Sequence, residues 1–209
     1  MSKPRRSGGS WRDRQERDPY VKKARAEGWR SRAVYKLQQI DEKDRLLKPG
    51  MQIVDLGSAP GSWSQYVTET MNTRAHIVAV DLLPMDTLPN VDFIQGDFRD
   101  ESTLDAIIEA LDGEKADLVM SDMAPNISGN RAVDQPRSMY LVELALDICN
   151  DVLKPGGAFV TKLFQGEGAD AFIALAKSRF EKTRVFKPKA SRAGSREVYL
   201  VAKGYKPPA

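Results

Sequence analysis

Two lysines and two acidic residues stand where a proton-transfer site could be built. Their positions are Lys162 within the apolar run GAFVTKLF, Asp122 directly after ADLVMS, Glu197 at the start of EVYLVAKG, and Lys36 at the end of SRAVYK. A lysine beside carboxylates can orient an attacking hydroxyl and, when neutral, accept its proton. The alternative interpretation is an ordinary ion-pair network at the end of a sheet.

A glycine-containing segment, DLGSAPGSW, indicates where a ligand would bind. Gly57 and Gly61 follow an apolar run and precede an amphipathic segment, which is where open α/β sheets bind ligands. The spacing differs from the GxGxxG of dinucleotide sites, and Pro60 removes a backbone donor that a pyrophosphate would use. No Gly-Lys-Ser/Thr follows, which excludes a P-loop. Both glycines could also be plain turn residues.

Two aspartates after later apolar runs add the groups that a nucleoside requires. Asp81, 20 residues after Gly61, can accept hydrogen bonds from both hydroxyls of a ribose, and Asp97 can accept one from an adenine amino group. Either aspartate could instead cap a helix. The set suits an adenosine that carries a small zwitterionic group, so the predicted ligand is S-adenosylmethionine. Trp63, in the first turn after the glycines, would line this pocket or pack on the sheet.

The elements that must position these residues alternate between strands and helices. Strand-like runs are MQIVDL, AHIVAVD, VDFIQ, ADLVMSD and GAFVTKLF, and helix-like segments are 31–47, 62–71, 101–112, 137–153 and 168–180. This alternation predicts βαβ units and a parallel sheet covered by helices on both faces. The runs KTRVFKP and EVYLVAKG are separated by only eight residues. They predict an antiparallel hairpin at the sheet edge, because a parallel crossover needs a longer connection.

Charge is unevenly distributed along the 209 residues. Residues 1–36 contain 12 Lys/Arg and 4 Asp/Glu, and residues 177–209 contain 10 and 2, although the whole chain carries a net charge of only +3. Basic ends around an acidic middle indicate a polyanionic partner that binds through its phosphates. Residues 1–18 are predicted to be a basic flexible tail, and the alternative is that they only aid solubility.

The lone cysteine and the lone histidine narrow the chemistry. A single cysteine excludes a disulfide framework. Cys149 falls on the apolar side of a predicted helix, which excludes it as a nucleophile. His76 begins the second strand, away from the strand ends that form the site, so Lys162 is the natural base. A sulfonium and Lys36 would disfavour a charge on Lys162, whereas the carboxylates would favour it, so the residue types leave its protonation state open.

Two other methyl acceptors do not fit these residues. Methylation at carbon 5 of a pyrimidine requires a cysteine in a loop at the site. Methylation of a base amino group usually goes with Asn/Asp-Pro-Pro-aromatic after the fourth strand, and SDMAPN lacks the second proline and the aromatic residue. A ribose hydroxyl remains as the acceptor.

Six motifs resemble those of the FtsJ/RrmJ (RlmE) family of ribosomal RNA large-subunit 2′-O-ribose methyltransferases. In order, they are DLGSAPGSWSQY, DLLPMD, QGDFRD, SDMAPNISG, KLFQGEG and SREVY, and the resemblance extends over residues 19–205. It implies a Rossmann-like methyltransferase fold with a mostly parallel seven-stranded sheet and an antiparallel C-terminal strand. Ser58 and Ser62 depart from the alanine and glycine usual in the family, which should not change the ligand class.

The resemblance also implies site residues and a substrate. The implied catalytic residues are Lys36, Asp122, Lys162 and Glu197, and the implied cofactor contacts are Gly61, Trp63, Asp81, Asp97 and Asp122, with no metal. The implied acceptor is the 2′-hydroxyl of a uridine in the aminoacyl-tRNA-binding loop (A-loop) of 23S rRNA, in the assembled large (50S) ribosomal subunit. The alternative is a non-catalytic RNA-binding ribosome assembly factor on the same fold.

The expected organisation is one methyltransferase domain over residues 19–209, with a basic N-terminal helical segment, behind the tail. No apolar run reaches the length of a membrane span, and the chain shows no apolar signal core at its start. We therefore expect a cytoplasmic monomer without membrane contact.

Overall fold

The computed structural model of the protein describes residues 16–208. The predicted tail at 1–18 therefore lies largely outside the described residues. Its last residue, Asp18, caps the first helix by accepting a hydrogen bond from the Tyr20 backbone N–H at 3.0 Å. The helices are α1 Pro19–Ala26, α2 Val34–Asp44, α3 Ser62–Thr70, α4 Glu101–Ala110, α5 Arg131–Val152 and α6 Ala169–Arg179.

Seven strands form one mixed sheet, as predicted. They are β1 Gln52–Leu56, β2 His76–Asp81, β3 Val91–Gln95, β4 Ala116–Ser121, β5 Leu153–Phe164, β6 Phe180–Phe186 and β7 Glu197–Tyr205, in the spatial order β3-β2-β1-β4-β5-β7-β6. The first five strands pair in parallel, and β7 pairs antiparallel with both β5 and β6. The predicted Rossmann-like fold, with its antiparallel C-terminal strand, is confirmed.

The central strands are buried because the sheet separates two apolar layers. Successive residues of β1 alternate between the layers, with Val54 and Leu56 in one and Ile53 in the other. Helices α4, α5 and α6 cover the first layer, while α2 and α3 cover the second. This arrangement follows from the period-2 pattern of strand side chains.

The longest helix, α5, starts before the predicted boundary at 137. Asn130 caps it by accepting from the Ala132 N–H at 3.1 Å, and Pro136 lies inside it. The prediction began after this proline because proline lacks the N–H that an interior helix position donates. Within residues 16–208, no helix combines the length and apolar character needed to cross a bilayer.

Candidate active site

Four predicted catalytic residues meet at the edge where the parallel strands end. Lys162 Nζ lies 3.2 Å from Asp122 Oδ1 and donates to the Asp122 backbone carbonyl at 2.6 Å. Lys36 Nζ lies 2.9 Å from Glu197 Oε1 and 3.7 Å from Asp122 Oδ1. The two lysine Nζ atoms and the two carboxyl groups therefore form one cluster, with Asp122 between the lysines.

The fold brings these residues together from distant parts of the sequence. Asp122 directly follows β4, Lys162 lies near the end of β5, and Lys36 lies in α2, which packs over the sheet. Glu197 pairs with Phe164 in the antiparallel register between β7 and β5, so that it lies near Lys162. Both lysines are more than nine-tenths buried, and each has a carboxylate partner, as a buried charge requires.

A tyrosine that the sequence analysis did not select lies at the centre of the cluster. Tyr199 is the register partner of Lys162, and its hydroxyl donates to Asp122 Oδ1 at 2.5 Å and lies 3.4 Å from Glu197 Oε1. Burial raises the pKa of Tyr199 well above its ordinary value, and both carboxylates add to this effect. The hydroxyl thus stays protonated. The two-residue spacing of Glu197 and Tyr199 on one strand is a signal that could have identified it.

The pKa of Asp122 is determined by its neighbours in the cluster. Burial raises the pKa of this carboxyl, but Lys162, Lys36 and the Tyr199 hydroxyl together lower it further, so that its pKa falls below the ordinary value. Glu197 also accepts from the Ser191 hydroxyl at 2.8 Å. Asp122 is therefore ionised near neutral pH and holds the lysines in place.

The predicted cofactor loop follows β1 closely. Asp81 accepts hydrogen bonds from the Ala59 N–H at 2.9 Å and from the Leu83 N–H at 2.8 Å, which ties the end of β2 to this loop. Gly57 and Gly61 have φ angles of +73° and +97°, where a side chain would be strained. A Cβ on Gly57 would lie 2.2 Å from Met123 Cγ, so the missing side chain also admits Met123.

Asp97 lies at the same end of the sheet, in the turn after β3. Its carboxylate receives the Arg99 Nε at 2.8 and 2.9 Å and the Arg99 backbone N–H at 3.0 Å. The hydrogen bond from the Arg99 side chain lowers the pKa of Asp97 below its ordinary value. Asp97 is thus an ionised acceptor, already engaged by its own turn.

The ring of Trp63 packs in the core. It is 3% exposed, its Nε1 donates to the Ala33 carbonyl at 2.9 Å, and its centroid lies 5.9 Å from that of Tyr199. Of the two alternatives for this residue, packing on the sheet describes the ring. A cofactor contact through its backbone N–H, in the first turn of α3, stays a prediction.

Free polar groups in the glycine loop fit the carboxylate end of S-adenosylmethionine. The Ser58 hydroxyl is buried and has no hydrogen-bond partner among the described residues, and backbone N–H groups in the first turn of α3 have no acceptor within the helix. Asp55, on β1 beneath this turn, accepts from the Ser64 hydroxyl at 2.7 Å. With the Asp81 and Asp97 carboxylates, this donor and acceptor set suits an adenosine with a zwitterionic chain.

The lone histidine and the lone cysteine lie outside the cluster, in surroundings that indicate structural roles. His76 lies at the opposite end of the sheet between Gln52 and Asp92, 2.5 and 2.7 Å from their side chains. Cys149 is fully buried in α5, and burial raises the pKa of its thiol. Residues 16–208 contain no group of three or more His, Cys, Asp and Glu residues arranged to hold a metal ion.

Comparisons with known proteins identify a family and related structures. The model of the FtsJ-like methyltransferase family matches residues 29–205. A solved structure from Plasmodium falciparum, assigned as a ribosomal RNA methyltransferase, is 33% identical with a TM-score of 0.77, covering 85% of this chain and 98% of its own.

Two more distant structures share the fold alone. MycE methyltransferase of the mycinamycin biosynthetic pathway, solved with Mg and S-adenosylhomocysteine, is 14% identical with a TM-score of 0.56, covering 90% of this chain and 50% of its own. A structure from Clostridium thermocellum, assigned as an rRNA methylase, is 14% identical with a TM-score of 0.55, covering 81% of this chain and 97% of its own.

Proposed function

Because this chain belongs to the FtsJ-like methyltransferase family, we propose that it methylates the 2′-hydroxyl of a ribose in ribosomal RNA. It is an S-adenosylmethionine-dependent RNA methyltransferase. The observation that carries the choice of a hydroxyl acceptor is the buried cluster of Lys162, Asp122, Lys36 and Glu197 beside the glycine loop. A lysine held by carboxylates suits an oxygen nucleophile that must lose a proton.

Each residue of the cluster has a role in this proposal. Lys162, as a neutral amine, contacts the attacking hydroxyl and receives its proton to become an ammonium, while Asp122 fixes the position of the Lys162 Nζ from two sides. Lys36 and Glu197 form the next ion pair and orient the ribose. S-adenosylmethionine, when bound, supplies the methyl group. Asp81, Asp97, the loop at Gly61 and the Trp63 N–H would hold it.

The substrate we propose is a uridine in the A-loop of 23S rRNA within the large ribosomal subunit. Support comes from the six sequence motifs and from the Plasmodium falciparum structure assigned as a ribosomal RNA methyltransferase. The basic ends of the chain suit a partner rich in phosphates. We propose that the protein acts as a cytoplasmic monomer.

A non-catalytic assembly factor on the same fold is the alternative that the sequence leaves. Burying two lysines against two carboxylates costs desolvation free energy, and a binding surface has no need of such a cluster. The cluster therefore favours an enzyme.

The decisive experiment measures transfer of labelled methyl from S-adenosylmethionine to large subunits that lack the modification, followed by mapping of the labelled ribose. We expect incorporation at one uridine of the A-loop, and transfer at least about 10²-fold slower with the Lys162→Ala variant. Absence of label in both subunits and purified 23S rRNA would contradict the proposal. Label at another position would change the substrate but keep the reaction.

A further inference from the structure

Arg30 belongs to the basic N-terminal part of the chain, yet its side chain contacts loops of the cofactor site. Its Nη1 donates to the carbonyls of Pro60 at 3.0 Å and Asp86 at 2.9 Å, and its Nη2 donates to the carbonyl of Thr87 at 3.0 Å. Pro60 lies in the glycine loop, and the other two lie in the loop that follows Asp81. One guanidinium thus joins the two loops that flank the predicted ribose and amino-acid subsites.

The glycine loop is shaped around this guanidinium. A Cβ on Gly61 would lie 2.5 Å from Arg30 Nη1 and 2.7 Å from Met85 Sδ, so these two side chains would have to shift to admit it. Arg30 and Met85, in their observed positions, therefore occupy the space next to Gly61. Sequence reasoning had assigned the glycine to a tight turn and to close approach of a ligand.

The backbone at Arg30 is fixed as well. Its N–H donates to the Gln65 side-chain carbonyl at 3.0 Å, and the Gln65 amide donates to the Gly28 carbonyl at 3.1 Å. Gln65 lies in α3, directly after the glycine loop, and the segment 28–33 leads into α2, which carries Lys36. Arg30 thus connects the segment that leads to Lys36, where the methyl acceptor would bind, to the glycine loop, where the methyl-donating cofactor would bind.

We propose that Arg30 is a positioning residue for cofactor binding, and that it does not serve as a phosphate contact for RNA. Both hydrogens of Nη1 and one of Nη2 are committed to carbonyl oxygens, so few donors remain for a phosphate. The inference rests on the proposed function for the identity of the cofactor. It goes further in separating Arg30 from the other basic residues of the N-terminal part.

The test is calorimetric titration of the full chain, without RNA, with S-adenosylhomocysteine. Arg30→Met keeps the apolar stem but loses all three hydrogen bonds, and we expect its dissociation constant to rise about tenfold or more. Arg30→Lys has no planar fork and should bridge the carbonyls poorly, so it should recover only part of the affinity. Arg25→Met, on the exposed side of α1, is the matched control and should bind as wild type.

Kinetics separate positioning from loss of folded protein. With Arg30→Met, we expect the KM for S-adenosylmethionine to rise about tenfold, while kcat at saturation stays within about threefold of wild type. Partial unfolding would lower kcat and leave KM unchanged, which would overturn the proposal. RNA affinity and its salt dependence should match wild type.

Two further outcomes distinguish the inference from the proposed function. If Arg30→Met binds S-adenosylhomocysteine as wild type does but loses RNA affinity with a smaller salt slope, Arg30 is an RNA contact and the inference is wrong. If the wild-type protein itself binds no S-adenosylhomocysteine, the proposed function fails, and the inference fails with it.

Discussion

At the scale of single residues, the predicted proton acceptor, Lys162, is held by two contacts with one neighbour. Asp122 contacts the Lys162 Nζ through its side chain and through its backbone carbonyl. The two contacts together fix the position of the Lys162 Nζ. The rate of methyl transfer should therefore depend on the ability of the Lys162 nitrogen to accept a proton as well as on its charge.

Lys162→Ala should lower the single-turnover rate of methyl transfer at least about 10²-fold, which is typical for loss of a positioned proton-transfer group. Affinity for S-adenosylhomocysteine and RNA should stay within about threefold, because Lys162 contacts the acceptor hydroxyl. Lys162→Arg should be nearly as inactive, since a guanidinium does not release its proton near neutral pH. Rapid-quench kinetics at saturating substrate measure these rates. An active Lys162→Arg variant would contradict the role of proton acceptor.

Asp55 should make the stability of the protein depend on pH. Burial raises its pKa from 3.8 to about 7; the Ser64 hydroxyl opposes this, and the Asp122 and Asp81 carboxylates add to it. The folded state then keeps a proton that the unfolded state loses above about pH 4. The free energy of unfolding should thus fall as pH rises from about 4 to about 7, by at most about 4 kcal/mol from this group.

Asp55→Asn cannot ionise and keeps an acceptor for the Ser64 hydroxyl. Its free energy of unfolding should fall less than that of wild type over the same pH range, because the Asp55 contribution is removed. Urea denaturation at a series of pH values measures both curves. Parallel curves would mean that Asp55 titrates as in the unfolded chain.

Sequence reasoning found the residues whose place follows from the ends of strands. Lys162, Asp122 and Glu197 were identified because apolar runs mark the strands and the site lies where they end. Tyr199 was missed although its two-residue spacing from Glu197 places both side chains on one face of the strand. Arg30 was missed because its contacts are with residues far away in the sequence. Hydrogen bonds between residues distant in sequence leave no local pattern.

At the scale of elements, the turn between β1 and α3 combines unusual backbone geometry with close packing. Gly61→Ala places a methyl group against Arg30 and Met85 at a φ of +97°. Gly113→Ala meets the same kind of backbone strain, at a φ of +79°, with no atom within 4 Å of the new Cβ. Comparing the two separates crowding from backbone strain.

We expect Gly113→Ala to lower the free energy of unfolding by about 1 kcal/mol, the cost of a left-handed non-glycine residue. Gly61→Ala should cost more and should also weaken binding of S-adenosylhomocysteine at least about fivefold, because its neighbours must move. Thermal unfolding and calorimetry of both variants test this. Equal stability and equal affinity in the two variants would show that the glycine loop accommodates the added methyl group with no further loss of free energy.

The order of strands at one edge is the part of the fold that sequence could not supply. The alternation of strands and helices predicted the parallel sheet, and the short connection predicted an antiparallel hairpin. Which hairpin strand pairs with β5 depends on side chains from across the molecule. Lys203, for example, donates to the Asp44 carbonyl at the end of α2, a contact that no local pattern announces.

At the scale of the whole molecule, the basic residues divide into those that face inward and those that remain for a partner. Arg32 pairs with Asp18 and donates to the Ala190 carbonyl. These contacts join the start of α1 to the loop between β6 and β7. Lys189 and Arg192 lie exposed in that loop, and Arg192 Nε is 3.6 Å from Asp18 Oδ2. Residues 1–15 add five basic residues and one acidic residue.

Removing residues 1–15, or neutralising Lys187, Lys189 and Arg192, should weaken RNA binding and reduce its salt dependence. The slope of log affinity against log salt should change by roughly 0.7 for each lost contact with a single-stranded phosphate. Affinity for S-adenosylhomocysteine should not change. Lys154→Gln, at the opposite end of the sheet, is the control. An unchanged slope in both altered proteins would place the RNA surface elsewhere.

If the proposed function is right, the position of β7 should also govern when activity appears during synthesis of the chain. Glu197 and Tyr199 lie on β7, which is translated after the other six strands and pairs between β5 and β6. A nascent chain can form the parallel strands first, but its β5 edge stays open and Lys36 lacks Glu197 until β7 is free. Ribosome-bound intermediates, and products of premature termination before β7, should therefore be inactive and prone to pair with other chains.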